Sequence, residues 1–367
     1  MVIYIITLLY WIFLYLFNPI KNKPSKMAVL GAIFPLFLIM ALKSTTVGVD
    51  TISYVNRYDM SSEMRYTETA ITEQGYNFLN ILFHDYLHFP FQLFYAVMAA
   101  FICFSLGAVL RRYSTNIYLS LFLYMTIGMF TMSMSGLRQT LAVSVCNFVP
   151  ILLQPEGEVH GGRKRIMFIV SIALIALAFT IHNSAIVFLP TVFLTKIRLT
   201  KAQVVTLFVL AISMLIVRDF WGALFQARAF GRYESYDFTM GYDMNILVLL
   251  LPIVIGFFCV ICHRTDAISH RFSPEVSMFF VYMAFVIFFV SQGLNHGQIT
   301  RLAFYFYAVY PILIPSALSS MPQSIRNGAT LFIIVLCVVF FVMGSIGGTL
   351  QIDNYKFFWQ ETVYSLH

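Results

Sequence analysis

Residues 117–153 read IYLSLFLYMTIGMFTMSMSGLRQTLAVSVCNFVPILL. The only charge in this stretch is Arg138, which stands where two apolar runs, 117–135 and 137–153, meet at Gly136 with almost no loop. Runs of about 17–20 apolar residues are long enough to cross a hydrocarbon core near 30 Å. Two of them back to back predict a pair of membrane helices, with Arg138 at or just under one interface.

Working outward, similar runs recur at about 2–17, 27–42, 92–110, 166–181, 184–197, 203–217, 245–262, 277–294, 301–318 and 329–346. The run at 184–197 is short and contains Pro190, which suits a broken helix. The pattern predicts an all-α polytopic membrane protein of about 12 helices (range about 10–13), forming a single domain over 1–367. Composition agrees. Only 11% of the chain is charged, against roughly 25% in soluble domains, too little to cover a water-facing surface. The first run lacks a preceding basic region and a following small-residue cleavage site, so it reads as a retained span. Cys103, Cys146, Cys259, Cys262 and Cys337 all lie in or beside apolar runs; Cys259 and Cys262 have no second pair and read as packing residues.

Strict alternation of the spans puts Lys21, Lys23 and Lys26, Arg111 and Arg112, Arg163–Arg165, Lys196, Arg198 and Lys201, Arg264 and Arg271, and Arg326 on one side. That side holds 14 of the 23 basic residues and four of the 16 acidic ones. The positive-inside rule makes it the cytoplasm. The net charge of +7 therefore reports cytoplasmic loops, and no nucleic-acid partner is expected. The opposite side receives two long loops, 43–91 and 218–244, with an interfacial or re-entrant helix within 76–94.

Three polar interruptions fall on that outer side: Gly136-Leu137-Arg138-Gln139, Ile181-His182-Asn183-Ser184, and the turn from Asn295-His296-Gly297 to Thr300-Arg301. Arg138, Ser184 and Arg301 each stand at the expected start of an inward-running helix, where free N–H groups and the dipole favour anions. Asn183 and Thr300 suit N-caps. Arginine adds a planar fork of donors, so the pattern predicts a phosphate or diphosphate pocket. A fourth cluster runs from Lys43 through Gly48 and Asp50 to Tyr54 and Arg57. Asp50 can act as a general base, an ion-pair partner or an N-cap. Glu73 is expected to cap a helix starting near 76. His84 and His88 have i, i+4 spacing but no evident third ligand, so neither a metal nor another cofactor is expected.

Val47-Gly48-Val49-Asp50-Thr51 with Tyr54, Glu73-Gln74-Gly75-Tyr76, Leu137-Arg138-Gln139-Thr140-Leu141-Ala142, His182-Asn183-Ser184-Ala185, and Arg301 followed by Tyr305-Phe306 occur in this order. The order resembles the EpsG family of bacterial exopolysaccharide and O-antigen (Wzy-type) polymerases, from about residue 40 to Tyr355–Trp359. Lys43 departs from the arginine of relatives, which weakens a phosphate contact there. The resemblance implies a GT-C-like fold in the bacterial inner membrane. It also implies transfer of a glycan from undecaprenyl diphosphate to a lipid-linked repeat unit on the periplasmic face, by a single inverting, metal-independent displacement. Arg138, Arg301 and Ser184 would bind diphosphate, with His182 or Asp50 as base. Glu73 would orient the acceptor, and Gln139, Arg57, His296 and Tyr305 would contact substrate. The partners implied are the lipid-linked oligosaccharide, the bilayer and a chain-length-determining membrane protein. The rival classes are a lipid-linked oligosaccharide flippase, which needs charges deep in a path open to both faces, and a membrane acyltransferase acting on surface sugars. Midspan regions almost free of charge disfavour the flippase.

Overall fold

A computed structural model describes residues 1–17, 24–62, 73–155, 160–194, 209, 274–293, 297–346 and 351–360. The apolar runs become helices: α1 Val2–Phe17, α2 Lys26–Ala41, α3 Thr51–Asp59, α4 Gln74–Ile81, α5 Phe91–Tyr113, α6 Ile117–Thr126, α7 Met129–Ser135, α8 Leu137–Cys146, α9 Phe148–Leu153, α10 Gly161–Ile181 and α11 Thr191–Leu194. After 273 come α12 Pro274–Gly293, α13 Gly297–Thr300, α14 Phe304–Tyr307, α15 Tyr310–Ser320 and α16 Gln323–Ser345. Local chemistry sets several starts. Ser25 accepts from Ala28 N at the head of α2, and Asn116 accepts from Tyr118 N and Leu119 N at the head of α6. Pro90 and Pro322 directly precede α5 and α16.

Among the described residues, helices α5, α10 and α16 are long and apolar enough to cross a membrane, and the number rises to five if each of two bent pairs counts as one span. Shorter apolar helices include α1, α2 and Leu137–Leu153. Candidate spans 203–217 and 245–262, the loop 218–244, and Cys259 and Cys262 lie outside the described residues.

Several runs are less regular than expected. The 117–135 run bends by 60° between α6 and α7, and the segment Arg301–Tyr307 bends by 43° against α15. The 184–197 run breaks into a 3-10 turn, Asn183–Phe188, and α11, with Pro190 between them. In the 76–94 region α4 passes into a π-helical turn, Leu82–Tyr86, and α5 starts afresh at Phe91.

Packing follows apolar faces. On α16, Leu331, Val335, Val339 and Met343 recur every four residues and are exposed, as are Ile166, Ile169, Val170 and Leu177 on α10. Such continuous apolar stripes fit lipid as their solvent. On α1 the outer face carries Leu9, Phe13 and Leu16, while Tyr4, Leu8 and Trp11 turn inward. Trp11 Nε1 donates to Ala32 O at 2.8 Å, tying α1 to α2. Helix α5 is inner, packed on α2 and α8. Its Ser105 hydroxyl donates to Ser144 O at 2.7 Å and accepts from Asn147 Nδ2 at 3.2 Å, so this buried polar seam is satisfied from within.

The two ends of the bundle differ in construction. At one end the tail 351–358 folds back as a strap. Gly48 N donates to Gln351 O, Ser44 N to Lys356 O and Phe358 N to Leu42 O, at 2.8–3.0 Å. Tyr4 OH donates to Ile352 O and Tyr355 OH to Ile39 O. This end also holds the α7–α8 junction, the end of α10 and Arg301. The far end holds Arg111 and Arg112, with Tyr113 OH donating to Pro150 O and Arg112 donating to Gln154 O, together with the exposed start of α10.

Candidate active site

Glu73 is the centre of the strapped end. Gly75, two residues on, lies so close to the last turn of α10 that a Cβ there would collide with Thr180. That contact draws the head of α4 onto the tail of α10, and His182 follows Ile181 directly. Glu73 itself takes a left-handed backbone, φ 59°, a rare conformation for a residue with a side chain. Its carboxylate is used twice. Oε2 accepts from Arg138 Nη1, and Oε1 from His182 Nδ1. Because a carboxylate can only accept, the Nδ1 of His182 carries the proton, leaving Nε2 as the other working atom.

The electrostatics follow from this geometry. Burial works to raise the Glu73 pKa, but the His182 hydrogen bond and then the Arg138 charge outweigh it and hold the carboxyl below its usual range. Arg138 is the second residue of α8, which starts at Leu137 behind an N-cap at Gly136. The faces of Tyr54 and Tyr76 flank its guanidinium, with ring centroids 5.6 and 5.9 Å from Cζ. Its Nε is buried with no hydrogen-bond partner among the described residues. Arg57 reaches the same cluster and donates through Nε and Nη2 to Asn77 Oδ1 at 3.2 and 3.0 Å.

A second pair lies next to the first. Arg301 Nη1 stands 3.6 Å from Asp50 Oδ2. Gln139, adjacent to Arg138 on α8, donates through Nε2 to Arg301 O at 2.5 Å. The Asp50 backbone N–H donates to Ser135 Oγ at 3.4 Å. On the other flank Ser184 Oγ and Tyr305 OH are 3.0 Å apart. One chain of contacts thus runs from Asp50 through Arg301, Gln139, the neighbouring Arg138 and Glu73 to His182, two residues from the Ser184–Tyr305 pair. Nine of the ten residues singled out in the sequence lie in or beside it; His296 is outside the described residues.

Some expectations are corrected. Glu73 occupies the N-cap position of α4, but its side chain makes no cap bond, because both oxygens are committed to Arg138 and His182. Asp50 likewise precedes α3 without a side-chain cap. Asn183 is already the first residue of the 3-10 turn, and no side-chain cap bond is made there. Arg301 opens a short 3-10 turn, Arg301–Ala303, that leads into α14, and Thr300 holds its N-cap position, but the Thr300 side chain makes no cap bond and donates to Ser291 Oγ instead. His84 and His88 do not share a helical face. His88 has φ 53°, beyond the π-helical turn, while His84 Nδ1 lies 2.7 Å from Asp85 Oδ1 and 3.0 Å from Ser61 Oγ. No group of three or more His, Cys, Asp and Glu suited to a metal occurs among the described residues. Lys43 points inward, where its Nζ is used up by protein oxygens. Sequence reasoning missed Asn77 and Ser135; each acts through a tertiary contact that no motif spacing marks.

Comparison with known proteins gives one result. The EpsG family model matches residues 26–357, most of the chain. No curated protein and no solved structure matches.

Proposed function

The chain belongs to the EpsG family, a family of Wzy-type polysaccharide polymerases, and from that premise we propose that it extends a glycan carried on polyprenyl diphosphate by transferring it to a lipid-linked repeat unit. The observation carrying this reading is the double use of Glu73, which binds a histidine and an arginine at one end of a membrane bundle.

His182 is the base. Glu73 holds its Nδ1–H, so Nε2 takes the proton from the acceptor sugar hydroxyl. That oxygen forms a bond to the anomeric carbon of the growing chain. The bond from this carbon to the diphosphate oxygen breaks, and its electron pair leaves with the diphosphate. One displacement from the face opposite the leaving group inverts the anomeric centre. Arg138 and Arg301, whose side chains both stay partly open to solvent, receive the charge developing on the diphosphate. Asp50 orients Arg301 from 3.6 Å. Ser184 with Tyr305, Gln139, Arg57 and His296 contact the substrates. Two guanidinium groups supply the cationic charge that the leaving group needs, so the reaction runs without a divalent metal. The strapped end faces the periplasm of a bacterial inner membrane. The arginines gathered at the far end support this orientation.

The test is turnover by purified protein given a synthetic lipid-linked repeat unit, with products resolved by length. Long chains and released polyprenyl diphosphate are expected, with the same rate in EDTA. Translocation of the substrate without chain growth would make the protein a flippase. EDTA inhibition reversed by Mg²⁺ or Mn²⁺ would end the metal-free mechanism.

A further inference from the structure

Lys43 is a buried cation that the reaction above does not use. Its side chain is almost fully enclosed. Nζ lies 2.8 Å from Val47 O, 2.7 Å from Thr51 Oγ1 and 2.5 Å from Met134 O, with the Tyr95 ring centroid at 4.6 Å. The Thr51 hydroxyl gives its own proton to Val47 O at 2.7 Å, so its oxygen accepts from Lys43. Three acceptors require three N–H groups, and only the ammonium form has three. Burial, only partly opposed by Asp50, pulls the Lys43 pKa well down; the three acceptors favour the ammonium form.

These three contacts span two parts of the chain. Val47 and Thr51 bracket the turn carrying Asp50. Met134 lies just before Ser135, which receives the Asp50 N–H, and four residues before Arg138. Gly48 takes φ 90° and lies so close to Met134 O that a Cβ would collide with it. The strap holds the same turn through Ser44 and Gly48.

We infer that Lys43 is a positioning residue, which ties the 47–51 turn to the end of α7 and so sets Asp50 against Arg301, without itself meeting the diphosphate. This inference rests on the polymerase reading for its kinetic consequence but not for its structural one.

The kinetic arm compares Lys43→Met, Asp50→Asn and the double variant, using purified full-length protein and the synthetic lipid-linked repeat unit. Lys43→Met is expected to lower kcat about 10²-fold, the size of a small misplacement at a reacting centre, with KM within about twofold. In the Asp50→Asn background it is expected to cost nothing more, because both changes act through one contact. A raised KM at unchanged kcat would identify a direct phosphate contact, and fully multiplying losses a purely structural role; either overturns the inference. The second arm needs no activity. Val47→Cys, buried in the turn, is labelled with a maleimide and the label at position 47 is quantified by mass spectrometry. Labelling is expected to rise about fivefold or more when Lys43→Met is added, reflecting local opening, and an unchanged rate overturns the clamp. If wild type makes no polymer, the polymerase reading fails and this arm still decides. If Lys43→Met does not fold, Thr51→Val removes one acceptor and is expected to shift both readouts the same way by less.

Discussion

The two ends of this bundle use arginine in opposite ways. At the strapped end Arg138 and Arg301 each meet a carboxylate and are largely withdrawn from solvent. At the far end Arg112 donates to a backbone carbonyl and leans on the Tyr113 ring, while Arg163, Lys164 and Arg165 stand exposed on the first turn of α10. Exposed cations near a membrane surface need only water and headgroups, and they set orientation by their number. Half-buried cations with fixed partners are expensive to desolvate and hold one geometry. The contrast separates charges left free at a surface from charges locked into one geometry.

The sharpest way to break this contrast is at Glu73. Glu73→Gln keeps the shape but removes the charge that orients His182 and pairs Arg138. The initial rate of chain growth is expected to fall about 10³-fold, as expected for loss of positioned base catalysis, while the protein still purifies from membranes as a single species. Arg138→Ala and Arg301→Ala come next. Each is expected to cost about 10²-fold, the scale of losing one charge-stabilising donor, with single repeat units persisting on surface-polysaccharide gels. Long chains in both variants would dissolve the distinction between the ends.

A smaller effect concerns pH. The Glu73 carboxyl is held below its ordinary range in the folded protein. Its ionised form therefore contributes stability in full above the ordinary carboxylate range. The contribution is lost as pH falls through that range toward the depressed value. The melting temperature is expected to be flat near neutral pH and to drop in acid, with a shallower drop in Glu73→Gln. The smallest effect belongs to the far end. The triple change of Arg163, Lys164 and Arg165 to Gln is expected to leave turnover within about twofold, since exposed surface changes are typically worth under about 0.5 kcal/mol. A large loss of turnover in correctly inserted protein would place chemistry at both ends.

Much of the helical layout was legible because lipid demands long apolar runs, and such runs can be counted. The polar interruptions at Arg138, His182 and Arg301 stood out for the same reason. What the residues do to one another was harder to read. Glu73 looked like a helix cap because it precedes α4, yet its left-handed backbone and the close approach of Gly75 to Thr180 turn the carboxylate toward α10. Those are tertiary facts with no local signature. The 60° bend between α6 and α7 also lay hidden, since an apolar composition reports length and not direction. Lys43 was weighed only as a contact for phosphate, because nothing nearby in sequence reveals that Met134 O waits for it.

The strap has a consequence for biogenesis. The turn that bears Asp50 is synthesised long before its partners at Gln351 and Lys356, which lie far along the chain. Contacts so distant along the chain form late. Any nascent intermediate lacking residues 351–358 therefore carries the Asp50 turn without its strap.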